Sequence, residues 1–173
     1  MEVAIEFGKI LLPASLILYL AYLLVRSFIQ KEIELKKLEV RGRSIETILP
    51  NRLQAYERMT LFLERIAPQN LLIRLNTANM PSSEFHQMLL SEIRNEYNHN
   101  VSQQVYISED VWNLIRNAKE DLVVTINEAA SQMTIDTTSI DLAKKIFELS
   151  INKSIDPLGH ALSEMKREIQ QIF

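Results

Sequence analysis

The chain has 173 residues, no cysteine, three glycines and a net charge of −3. Its length fits one ordinary domain with an additional segment, and the lack of cysteine excludes disulfides, Cys-ligated zinc, iron–sulfur clusters and thiol catalysis. The acidic balance argues against a nucleic-acid binder, and three glycines as far apart as Gly8, Gly42 and Gly159 argue against a hairpin-rich sheet protein.

The first element is apolar. Ile10–Val25 reads ILLPASLILYLAYLLV with no charge inside it. As a helix it rises about 24 Å, short of roughly 30 Å of hydrocarbon. Phe7 on one side and Phe28 with Ile29 on the other lengthen it, and Lys9 and Arg26 can snorkel outward. The pattern predicts a transmembrane anchor over residues 1–29. A cleaved signal peptide fits worse, because Glu2 and Glu6 outnumber Lys9 and no small-residue cleavage site follows. A buried soluble helix also fits worse, because the run is apolar on every face.

Basic residues are lopsided about this run. Arg26, Lys31, Lys36, Lys37, Arg41 and Arg43 face only Glu32, Glu34 and Glu39, a net of +3 over residues 26–43. Residues 44–173 hold 12 basic and 17 acidic side chains. The positive-inside rule then places the N-terminus outside and the rest in the cytoplasm, at the inner membrane. Residues 30–49 read as a juxtamembrane helical stalk with Glu32/Lys36 and Glu39/Arg43 in the favourable order. Phe28, Leu35, Leu38, Ile45 and Leu49 fit heptad positions, but Gly42 and Lys31 interrupt the seam.

Pro50 marks an expected break, and residues 50–173 form the third part. Asn51–Ala67 is amphipathic, with Leu53, Tyr56, Thr60, Leu63 and Ala67 in one stripe widened by Met59, Phe62 and Ile66. Pro68 ends that helix or opens a short one over Gln69–Asn76. Asn79–Ser83 is a turn, Glu84–Tyr97 a helix, and Asn98–Asn100 its stop. Val101–Ile107 is expected to be a loop. Ser108 caps a helix running to about Gln132. Thr138 and Asp141 form a capping box for a helix of Leu142, Ile146, Phe147, Leu149 and Ile151. Asp156-Pro157 opens the last helix, with Leu158, Leu162, Met165, Ile169 and Ile172 apolar. The expected fold is all-α: one N-terminal transmembrane helix continuing into a helical stalk, then a bundle of five or six helices.

Chemistry is sparse. Phosphate loops need clustered glycines, and the nucleophile elbow needs Gly-x-Ser-x-Gly; neither occurs, nor does H-E-x-x-H or an EF-hand loop. Glu96-Tyr97-Asn98-His99 is one Glu-x-x-His, where di-iron bundles use two. Glu92, Glu96 and His99 are thus the candidate catalytic residues, with a solvated helix end as the plain alternative. Asp156, His160 and Glu164 share a face and read as a surface salt pair before a general-base pair. Tyr56 and Phe62 beside Arg58 and Arg65 could hold an anion, although both rings fall in the apolar stripe. Trp112 and Arg116 are spaced for a cation–π contact. No cofactor or metal is implied.

Leu38–Leu75, and above all RLQAYERMTLFLERIAPQNLLIRL (Arg52–Leu75), resembles an uncharacterised family of short bacterial proteins with one N-terminal transmembrane segment and a helical cytoplasmic domain. The resemblance implies that architecture and no activity. The expected function is a membrane-anchored interaction or scaffold protein. Its partners are the lipid bilayer and either another protein or a second copy, with no nucleic acid. The membrane-flanking residues are Lys9, Arg26, Lys31, Lys36 and Lys37. The alternatives are a membrane-attached enzyme with a dispersed carboxylate/His site and a homo-oligomeric structural membrane protein.

Overall fold

The computed structural model describes residues 1–77 and 80–171, and within its first helix the side chains of 15–39 and 48–66. The described residues are all-α. The elements are α1 (Glu2–Ile66), α2 (Pro68–Leu75), α3 (Ser82–Asn100), a 3-10 helix (Val101–Tyr106), α4 (Glu109–Ser131), α5 (Ser139–Ile151) and α6 (Pro157–Gln170). The chain divides into two compact units, Met1–Leu49 and Pro50–Phe173.

In the first unit every described side chain from Ser15 to Glu39 is exposed. Among the described residues no helix is long and apolar enough to cross a membrane. The expected span lies partly outside the described side chains, which omit 7–14, Lys9 among them. Its described remainder, Ser15–Val25, rises only about 16 Å. Of the expected heptad residues, Phe28, Leu35 and Leu38 are exposed, and Ile45 lies outside the described residues.

The expected break at Pro50 does not form, since α1 runs through it. A helix-interior proline removes one hydrogen bond and crowds the carbonyl four residues back, at about 3 kcal/mol. The following turns bury Tyr56, Met59, Phe62, Leu63 and Ile66. That burial anchors the helix on the C-terminal side of the proline.

The second unit has one core. Phe62 and Ile66 of α1, Leu71 of α2, Phe85, Leu89 and Ile93 of α3, Ile115 and Ile126 of α4, Leu142 and Ile146 of α5 and Met165 of α6 form one cluster. Helix ends follow local chemistry. Ser108 Oγ accepts from the Val111 N–H at 3.3 Å. The Thr138 N–H and hydroxyl donate to Asp141 at 3.0 and 2.8 Å. Those two bonds, the backbone one first, hold the Asp141 carboxyl below its ordinary pKa of 3.8. Asp156 Oδ1 accepts from the Gly159 N–H at 3.0 Å. A side chain at Gly159 would run into that carboxylate, so glycine lets the cap close down on the helix.

Two expectations are corrected. Val101–Tyr106 is a 3-10 helix, not a loop. α3 continues to Asn100, whose buried amide donates to the Glu96 carbonyl at 2.8 Å and satisfies an end-of-helix acceptor. In α5, Leu142 and Ile146 are buried, but Phe147 and Ile151 are exposed. At 3.6 residues per turn they lie about 140–180° round the helix from Leu142, out of reach of the core. The turn expected over Asn79–Ser83 includes Asn79, and α6 was expected to use Ile172; both residues lie outside the described ones.

Candidate functional site

Glu92, Glu96 and His99 project from one face of α3, and the structure brings arginines from α1 and α2 onto them. Arg65 Nε donates to Glu96 at 2.6 Å, and a second nitrogen of the same guanidinium lies 3.8 Å from Glu92. Arg74 completes the brace on Glu92. Arg58 donates to His99 Nε2 at 3.1 Å. A guanidinium can only donate, so His99 accepts there and carries its proton on Nδ1. The three candidates therefore meet arginines, one after another, along the seam of α1 and α2 with α3. Among the described residues no group of three or more His, Asp or Glu is placed to hold a metal ion.

The other singled-out residues separate. Asp156 caps α6, and Glu164 pairs with Arg167 one turn on. Arg116 donates to Asn113 at 2.9 Å and not to the Trp112 ring. Trp112 stacks on Tyr97 with ring centres 5.9 Å apart, and Lys119 Nζ stands 4.4 Å over the Tyr97 ring. Tyr56 and Phe62 are core residues.

Two features have no linear signature. The first is centred on Glu168 of α6. Its Oε1 accepts from the Tyr56 hydroxyl at 2.5 Å, from Arg52 at 3.4 Å and from the Ser108 N–H at 3.1 Å, while Oε2 accepts from the Ser108 hydroxyl at 2.7 Å. The same Ser108 caps α4, so the carboxylate sits at the positive end of that helix. Burial, followed by the bond to Glu168, pushes the Tyr56 hydroxyl up to about 12, so it remains a donor across the working range.

The second is a cleft of about 370 Å³ between the end of α1, the start of α2, α4, α5 and α6. Leu63, Leu122, Leu158 and Leu162 give it an apolar floor, and Phe147, Ile151 and Ile155 stand at its mouth. One wall is polar: Lys153 Nζ donates to Asp121 Oδ2 and to Thr125 Oγ1, each at 2.6 Å. The volume falls in the usual range for binding clefts, as does an apolar lining with a few convergent polar groups.

Arginine–carboxylate braces between helices and an open amphipathic cleft define a helical-bundle module. The chain belongs to the family of unknown function DUF7935, whose model matches residues 2–172. The expected likeness to an uncharacterised family holds at that level, along nearly the whole chain. No curated protein and no solved structure matches it.

Proposed function

We propose that the chain is a membrane-anchored interaction protein. Residues 1–29 form the anchor, 30–49 the juxtamembrane stalk, and 50–173 a cytoplasmic bundle that holds a partner at the inner membrane. One observation carries this reading. The large apolar side chains described between Leu16 and Leu38 are 40–74% exposed. A contiguous apolar surface of that kind calls for lipid or another protein. Arg26, Lys31, Lys36 and Lys37 follow the apolar run on one side, as retention on the cytoplasmic face requires. The bundle supports the interaction role rather than catalysis, since Glu92 and Glu96 are engaged by arginines.

Alkaline carbonate extraction of membranes tests the anchor. The full-length chain should stay in the pellet, and release with the peripheral proteins would overturn the reading. A reporter fused after Phe173 should be inaccessible from outside intact cells. Purification of the tagged chain in detergent tests the interaction role: one protein should follow in near-stoichiometric amount.

A further inference from the structure

α5 is apolar on two opposite faces, and the core occupies one of them. Leu142 and Ile146 are fully buried, while Phe147 is 45% and Ile151 65% exposed. Ile155, 69% exposed, follows in the connection to α6. The three stand four residues apart and all line the cleft. Phe147 and Ile151, one helical turn apart, form a ridge about 6 Å long beside a groove, the relief into which a second helix packs. Exposed apolar side chains grouped beside a polar-rimmed groove mark a surface that another molecule covers. A strand has nothing to pair with here, because the described residues contain no strand and only one isolated bridge, Pro81–Thr138.

The charges around the groove select the occupant. Glu64, Asp121 and Asp156 line it against a single cation, Lys153, which Asp121 already holds. Residues 50–173 as a whole carry 16 acidic and 12 basic side chains. An acidic partner, or an anionic lipid surface, meets repulsion at this place. A basic partner finds carboxylates beside apolar surface, and gains in both encounter rate and register.

We propose that the cleft docks a basic amphipathic helix of a partner protein. Its apolar residues, at helical spacing, pack over Phe147, Ile151 and Ile155, and its Lys or Arg side chains face Glu64 and Asp156. This names the partner class for the interaction reading above and rests on it. The Lys153–Asp121–Thr125 cluster ties the connection between α5 and α6 to α4 along one wall of the groove.

The test is a selection on the full-length chain in mild detergent. The probe is a display library of helices of about 18 residues, roughly five turns, with apolar positions fixed at i, i+3, i+4 and i+7 and the polar positions drawn from Lys, Glu, Gln and Ser. The expected winners are lysine-rich. Their affinity should fall by about tenfold or more for the double variant Ile151→Ser/Ile155→Ser, and should weaken as salt is raised from about 0.1 to 1 M. Both substituted positions are solvent-exposed, and an unchanged circular dichroism spectrum shows that the fold is kept. Winners rich in glutamate, winners indifferent to the double variant, or no enrichment at all would each overturn the proposal. Co-purification from cells separates this from the broader reading. A partner that follows the double variant as well as the native chain leaves the interaction protein standing and removes the cleft as its site. Lysine-rich winners on the cleft, with no protein following either form, keep the docking chemistry and remove the scaffold role.

Discussion

The two units of the chain use apolar residues in opposite ways. From Ser15 to Glu39 the described side chains are exposed whether they are leucine or lysine. In the bundle most of the described apolar side chains of α1, α3 and α4 that recur at helical spacing converge on one core. Both stretches are helical, so helicity alone does not distinguish them; periodicity does. In the bundle the apolar residues of α1 recur at three- and four-residue steps, which makes a stripe a neighbour can cover. In Leu16–Val25 they run consecutively and surround the helix, which no single neighbour can cover.

That contrast can be broken first at Phe62, which is fully buried. Phe62→Ala should cost about 3–5 kcal/mol, read by urea unfolding. Trp112 is the only tryptophan and lies in the bundle, so its fluorescence reports that unit by itself. The next effect is at Tyr56. Tyr56→Phe removes a bond to a carboxylate and should cost about 2 kcal/mol. The raised pKa of Tyr56 also sets an alkaline limit. Its contribution is complete below pH 10.0, where both folded and unfolded chains keep the phenol protonated, and declines as pH rises toward about 12. The native bundle should lose stability across that window, and the Tyr56→Phe bundle should lose less. Ser108→Ala takes away a helix cap and one Glu168 contact, and should cost about 1 kcal/mol. Asp141 acts in the other direction. Its lowered pKa adds stability that is present above the ordinary carboxylate value and fades as acid titrates it. Asp141→Asn should therefore flatten the acid limb of the unfolding curve. Smallest of all, Leu24→Ser, at a side chain 73% exposed, should leave the Trp112 transition unmoved; a shifted midpoint would mean that the two units are energetically coupled.

Local rules were legible in the sequence. The caps at Ser108, Thr138/Asp141 and Asp156 form where a short side chain precedes an apolar periodic run, and their partners lie only three residues away. The core of α1 and α3 follows from the same helical spacing. What the sequence hid was pairing at a distance. Glu92 and Glu96 stand out as a potential site because their partners, Arg65 and Arg74, lie 18 to 31 residues earlier. Glu168 and Tyr56 are 112 residues apart. No periodicity records such a meeting, because it depends on how helices pack. Phe147 and Ile151 could not be told from Leu142 and Ile146 by hydrophobicity, which shows that a residue prefers cover, and not whether its own domain supplies it. Pro50 was overweighted, because a helix-interior proline costs about 3 kcal/mol, which disfavours continuation without forbidding it.

The Glu168 carboxylate has a consequence in time. It takes donors from Arg52, Tyr56 and Ser108, which lie 116, 112 and 60 residues away along the chain. Through Ser108 that one side chain ties the start of α4 to the last turns of α6. In deuterated solvent the Ser108 amide should therefore exchange more slowly in the native chain than in Glu168→Ala, and its peak would report how often the carboxylate lets go.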